Sequence, residues 1–304
     1  MPDMQKLITN FKNYLTQQDM SYNTIRNYIC DIHNFHVWYD KTYAEDDFTK
    51  TDVQQLDFYR DYLVHSKRSP VTTVNRKIQA LRRFFGYLLE IGGMKQNPVS
   101  KVRFLKKVRN ICPKTLSKQE IHSLLSIASR AKHNTGKRNY AIIQLILQTG
   151  LRVGEVVNLE MRDLCLYERT GSVRVVDGKG GKEREVPLGI NIRKALSSYL
   201  KDREIENDRP VFLTKQGGKM TSRSIQLMIN NSALKAKITR IKVTPHVLRH
   251  TFATNYLRQN PNCLVELSDL MGHDSIDTTA IYTKASAERL ASTIEKSQFM
   301  ADDL

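Results

Sequence analysis

The sequence predicts a mainly α protein with a small β-sheet, built as an all-helical N-terminal part and a mixed α+β C-terminal part. Three observations predict it. Apolar residues recur at helical spacing throughout the first 93 residues. A basic stretch punctuated by Pro98 and Pro113 follows. Beyond it, one segment, "GSVRVVDGKGGKEREVPLG", alternates as a β-hairpin does, and helical patterns surround it. The expected division is residues 1–93, a linker over 94–116, and 117–304.

Taken in order, Leu7, Phe11 and Leu15 line one face of a first helix. Ser21 is placed to cap a second, striped by Ile25, Tyr28, Ile29, Ile32 and Phe35. Val53, Leu56, Tyr59 and Leu63 mark a third. The fourth has Ser69 as its expected cap, Pro70 in the first turn and a stripe of Val74, Ile78, Leu81, Phe85 and Leu88. Gly92–Gly93 stop it. Its other face carries Arg76, Lys77, Arg82 and Arg83. Residues 94–118 hold eight Lys or Arg and no acid, Lys106 and Lys107 among them. This predicts an extended basic linker lying along a polyanion. Then Ser117 and Glu120 form a capping box, and "RNYAIIQLILQTG" is apolar nearly all round, a buried central helix ending at Gly150.

The charge names the partner class. The chain of 304 residues carries net +17. Residues 1–112 hold 18 basic against 11 acidic side chains and the rest 30 against 20, so both parts are basic. An acidic polymer, most simply nucleic acid, is the partner such a balance implies. No run of 18 apolar residues exists and the N-terminus lacks a signal-peptide pattern, so no membrane role is expected. Cys30, Cys112, Cys165 and Cys263 are far apart, which argues against a zinc site or disulfide framework and fits a reducing cytoplasm.

Four segments carry the chemistry. "TGLRVGEVVNL" places Arg152 just beyond a helix end, with Glu155 three residues on. "DGKGGKEREVPL" sets Lys179 between glycines at a hairpin tip; the spacing of a P-loop is absent. "TPHVLRHTFATNYL" puts His246, Arg249 and His250 on one helical face. Val247 stands where a zinc protease needs glutamate, which argues against zinc hydrolysis. "MGHDSIDTTAIYTK" holds His273 and Tyr282, one of 13 tyrosines. Together these are a phosphate-binding, phosphoryl-transfer set. Two arginines can each clamp non-bridging oxygens where charge gathers. They could replace a divalent metal, so none is expected. Lysine or histidine can move protons. A tyrosine, with a reference pKa of about 10, attacks only with help from a base and cations.

These four segments, in this order and spacing, resemble the boxes of the tyrosine recombinases, most of all the Xer-type and phage or transposon integrase branch. The resemblance covers essentially the whole chain. It implies a helical, SAM-like core-binding domain, then a mixed catalytic domain, closing as a C-shaped clamp on duplex DNA. Residue by residue it implies Arg152, Lys179, His246, Arg249 and His273 as the phosphate-handling set and Tyr282 as nucleophile. Lys179 would be general acid on the leaving 5′ oxygen, with Lys182 its rival. Glu155 and His250 would be supporting residues. Arg76, Lys77, Arg82, Arg83, Lys106 and Lys107 would contact DNA. Two turns, around "LYERTGS" and Asn260–Pro261, are slightly longer than in compact Xer proteins, and no extra arm-binding domain is expected. The resemblance further implies a homotetramer on two recombination sites, without metal, ATP or other cofactor, working in the cytoplasm through a Holliday junction. A C-terminal tail bearing Leu290, Ile294 and Phe299 would dock on a neighbouring protomer. A type IB topoisomerase-like relaxase and a non-catalytic DNA-binding protein are the alternatives.

Overall fold

The computed structural model describes residues 4–43, 50–106, 113–130, 133–176, 183–201 and 208–272, together with Thr279 and Tyr282. Lys107, Lys179, Lys182, His273 and the tail positions Leu290, Ile294 and Phe299 lie outside the described residues. The chain divides into two compact units, Met1–Arg109 and Asn110–Leu304. Among the described residues no helix is long and apolar enough to cross a membrane.

The first unit is helical: α1 (Met4–Gln17), α2 (Tyr22–Tyr43), α3 (Val53–Asp61) and α4 (Val71–Glu90). The predicted stripes face inward, with Phe11, Leu15, Ile32, Leu56, Val74, Ile78, Leu81 and Phe85 all buried. Aromatic rings fill the centre. Phe35 packs edge-on against Tyr59 and Phe85, an arrangement in which ring edges meet ring faces. Ser21 caps α2 through its hydroxyl, and Asp52 caps α3 with Gln55 reaching back.

Three details differ from the sequence reading. The cap of α4 is Pro70, whose carbonyl takes the Thr73 and Val74 N–H groups, while Ser69 turns its own N–H back to Leu63. The third helix is not uniform, because Tyr62–Ser66 widens into a π turn. And the basic segment after α4 is not free linker as far as Leu105. Val99 and Val102 are buried in the first unit's core. Asn75 holds the Leu105 backbone at both N–H and C=O, 2.9 Å each, and Arg82 donates to the Val99 and Val102 carbonyls. The apolar residues at 99, 102 and 105 alternate with cations, so composition alone hides their burial.

The second unit is built on α6 (Asn134–Thr149), preceded by α5 (Lys118–Ser129) with the predicted Ser117–Glu120 capping box. A short α7 (Val153–Asn158) leads into an antiparallel sheet of β1 (Leu164–Leu166), β2 (Gly171–Val176) and β3 (Glu183–Pro187), in that spatial order. Val173 pairs with Val186 across the hairpin. β1 is too short to show alternation, and the sequence reading did not include it. Then follow α8 (Ile190–Leu200), α9 (Ser222–Lys235), α10 (Pro245–Gln259) and α11 (Leu264–Met271). α10 starts on a Thr244 cap with Pro245 in its first turn. Thr251, buried on α10, takes the Leu116 N–H at 2.9 Å and ties the start of the unit to its centre.

Gly150 closes α6 in the left-handed conformation, φ +66°. A Cβ there would lie 2.4 Å from the Phe252 ring of α10. Gly150→Ala should therefore cost about 2–4 kcal/mol, combining positive-φ strain with overpacking. Calorimetry of the full chain should show a drop of about 4 °C or more in the second unit's transition. Gly154→Ala, with nothing within 4 Å of the new Cβ, should leave that transition unmoved or raised. Equal behaviour of the two variants would refute the Phe252 contact as the cause.

Candidate active site

The site forms where three chain segments meet the C-terminal end of α11. The left-handed Gly150 turns the chain so that Leu151 is buried and Arg152 begins α7 with extended backbone. Glu155, three residues on, reaches back. One carboxylate oxygen accepts the Arg152 N–H at 2.7 Å, and the other accepts Arg152 Nη1 at 3.0 Å. Glu155 thus fixes both the backbone and the guanidinium of Arg152, which a carboxylate at the third helical position is placed to do.

α10 supplies Arg249 from inside the fold, with only 6% of its surface exposed. Its Nη1 donates to the Gly150 carbonyl and its Nη2 to Met271 O at 2.8 Å. Arg152 Nη2 donates to Gly272 O at 2.5 Å. β3 contributes a third arginine. Arg184 donates from Nε to Leu270 O at 2.9 Å and from Nη2 to Glu155 Oε2 at 2.8 Å. Three successive carbonyls, Leu270, Met271 and Gly272, therefore each accept from a different guanidinium. Helix C-terminal carbonyls have no partner within the helix and sit at the negative end of its dipole, so cations gather there.

Among the described residues of this cluster, three guanidiniums face one carboxylate. Burial, followed by the Arg152 charge, brings Arg249 down to about 10, so it stays protonated at neutral pH. His246 lies one helical turn before Arg249. Its imidazole is held below its ordinary value, first by desolvation and then by Arg249 and Arg152. A neutral imidazole beside two fixed arginines, with positive charge in excess, can bind an oxyanion and pass a proton.

Tyr282 is buried, 8% exposed, against Ala253, Leu257, Leu267 and Met271. Its hydroxyl lies 2.5 Å from Nδ1 of His250. Burial pushes the Tyr282 phenol up, with Arg249 pulling weakly the other way. Burial also holds His250 down, helped by His246 and Arg249. Which of the two donates is set by which nitrogen of the neutral His250 ring carries the proton. The sequence reading made His250 a supporting residue without naming what it holds.

The structure thus brings Arg152, Glu155, Arg249, His246, His250 and Tyr282 into one unit. Arg184 was missed, although it lies inside the quoted "EREVPL". The available signal was its position: it shares a strand face with buried Val186, and an arginine facing inward needs partners. In the first unit, the basic face of α4 is partly spoken for. Arg76 ion-pairs with Asp31, and Lys77 Nζ lies 3.5 Å from the same carboxylate. Arg82 stacks 4.4 Å from the Phe104 ring, and Arg83 lies 5.8 Å from Tyr14. Lys106 is exposed.

The two histidines set a pH dependence. Both are held below 6.5 when folded, so below that pH the unfolded chain binds more protons than the folded one. Stability is full above pH 6.5 and falls as pH drops towards the depressed folded values. Urea unfolding of the second unit's transition should show a lower midpoint at pH 5.5 than at pH 7.5. His250→Gln should narrow that difference; an unchanged difference would show that His250 does not cause it.

Comparison with known proteins gives a consistent answer. Residues 114–289 match the phage integrase family, and residues 7–92 match the phage integrase N-terminal SAM-like domain. The tyrosine recombinase XerC of Thermodesulfovibrio yellowstonii is 32% identical over 312 residues, 98% of this chain and 97% of that protein. The tyrosine recombinase XerD of Listeria monocytogenes is 33% identical over 294 residues, 94% and 96% of the two. The crystal structure of XerA recombinase is similar with a TM-score of 0.53 and 29% identity, covering 98% of this chain and 99% of that one. XerH bound to its difH substrate, at 23% identity, shares the fold with a TM-score of 0.70 over 89% of this chain and 78% of its own. With both parts of the chain matched and relatives aligned along nearly all of it, this protein belongs to the phage integrase family, as a tyrosine recombinase of the Xer-like kind.

Proposed function

We propose that this chain recombines duplex DNA at specific sites, with Tyr282 as the nucleophile and Arg152 and Arg249 as the phosphate clamp. The observation that supports this most directly is the pinning of both arginines on one helix end. The Tyr282 hydroxyl is held in the same unit by a neutral imidazole. In the proposed step the Tyr282 oxygen forms a bond to the scissile phosphorus and the bond to the 5′ oxygen breaks. The phenolic proton leaves to a neutral imidazole, and the 5′ oxygen takes a proton from Lys179. The product is a 3′-phosphotyrosyl ester and a 5′-hydroxyl. That ester keeps the energy of the broken phosphodiester, so rejoining needs no ATP. The two guanidiniums carry the developing charge, with His246 and His273 as hydrogen-bond partners of the same phosphate and Glu155 holding Arg152.

In the geometry described, Tyr282 is a covered phenol bonded to His250. Cleavage therefore requires it to leave His250 for the phosphate. Exchange within a homotetramer on two sites, through a Holliday junction, follows from the family reading, as does docking of the tail on a neighbour and work in the cytoplasm. The N-terminal part, 1–93, is assigned to core DNA binding, with Arg76, Lys77, Arg82 and Arg83 as phosphate contacts, and the linker over 94–116 adds Lys106 and Lys107. Arg83 and Lys106 are the least committed within the fold, and Arg76 is still 40% exposed beside Asp31. Residues 117–304 are assigned to catalysis.

Tyr282→Phe should abolish covalent attachment to a nicked suicide duplex and leave duplex binding nearly unchanged. Any adduct formed by that variant sinks the nucleophile assignment. Arg152→Lys and Arg249→Lys should each slow adduct formation by about 10²–10³-fold, because an ammonium cannot replace the two-pronged guanidinium. A loss below tenfold would remove that arginine from the clamp.

A further inference from the structure

We propose that Arg184, on β3, is a positioning residue that sets the phosphate-clamping geometry of Arg152. The inference rests on the reading above, in which Arg152 clamps the scissile phosphate. Arg184 reaches Arg152 by two routes. Its Nη2 holds Glu155 Oε2 at 2.8 Å, the same oxygen that accepts the Arg152 N–H at 2.7 Å. Its Nε holds Leu270 O at 2.9 Å, two residues from the Gly272 carbonyl that accepts Arg152 Nη2. The carboxylate and the helix end that orient Arg152 are thus themselves oriented by one guanidinium. Without it, Glu155 can rotate about Arg152 and the end of α11 can shift, and a misplacement of about 1 Å is enough to slow a positioned reaction about 10²-fold.

Arg184 does not contact substrate by this reading. Its side chain is only 14% exposed, and two of its nitrogens are committed. Gly272 shows how closely it fits. A Cβ at that residue would lie 2.6 Å from Arg184 Nη1, so the glycine serves both its positive φ of 61° and the approach of the guanidinium. Lysine at 184 would keep the charge but could not reach a carbonyl and a carboxylate at fixed divergent angles.

The test compares the full-length chain with Arg184→Gln and Arg184→Lys. The DNA is a nicked duplex carrying the site recovered from covalent adducts of the wild-type chain. Single-turnover adduct formation is measured on the natural phosphodiester and on the same duplex with a methylphosphonate at the scissile position. The methylphosphonate replaces one charged oxygen by a neutral methyl group and so needs the clamp less. On the phosphodiester both variants should be about 10–100-fold slower than wild type, with DNA affinity within about twofold. On the methylphosphonate the deficit should shrink to about threefold or less. Equal deficits on the two substrates would make Arg184 a merely structural strut, and no deficit would end the proposal outright. Arg184→Lys keeps the stem and charge, so it reports even where Arg184→Gln fails to fold. Arg152→Ala, run alongside, separates the two levels. If its own deficit is equal on both substrates, the reading of Arg152 fails. If only the Arg184 variants lack the charge dependence, the positioning role alone fails.

Discussion

The candidate site depends on three successive carbonyls where α11 ends. Leu270, Met271 and Gly272 each hold a guanidinium from a different part of the chain: β3, α10 and the start of α7. Each arginine is then held a second time, by Gly150 O or by Glu155. A guanidinium with two acceptors in its plane has little freedom left. Two glycines make this possible. Gly150 lets α6 end against Phe252, and Gly272 lets α11 end against Arg184. The arrangement is rigid because helix ends, rather than mobile side chains, supply most of the acceptors.

That rigidity has an electrostatic consequence. Among the described residues, three guanidiniums stand beside one carboxylate within a partly desolvated site, an excess of positive charge. The surplus joins with burial to keep His246 and His250 neutral and to lower Arg249. A bound phosphate would relieve the repulsion, most of all in a transition state with added charge. Burial keeps Tyr282 protonated against the same field, so the hydroxyl is not activated while it rests on His250.

The first unit repeats the theme on a smaller scale. Asp31 is 2% exposed, and burial pushes its carboxyl above its ordinary range against the pull of Arg76 and Lys77. Arg82 is spent on the backbone of the segment that follows α4. Cations that read as one solvated stripe therefore divide into those that hold α2, α4 and the next segment together and those left to face outward. The number of charges is a property of composition; how many are free is a property of packing.

Much of this protein was legible in its sequence because the signals are local. The 3.6-residue stripes, the Ser21 and Ser117 caps, the stop at Gly150 and the strands either side of "DGKGGK" need only neighbours within about four residues, and the structure contains each of them. The order of the four segments put Arg152, Lys179, His246, Arg249, His273 and Tyr282 forward as one set, and its described members lie together. What the sequence did not decide were the partners. Arg184 meets Glu155 across 29 residues and Leu270 across 86; His250 meets Tyr282 across 32; Arg152 meets Gly272 across 120. Asn75 and Leu105, and Arg76 and Asp31, are likewise paired only by folding. Periodicity states which face of a helix or strand turns inward, but a directional hydrogen bond depends on where two faces meet. That meeting is set by the packing of α6, α10, α11 and β3 together, and so only the tertiary structure decides it.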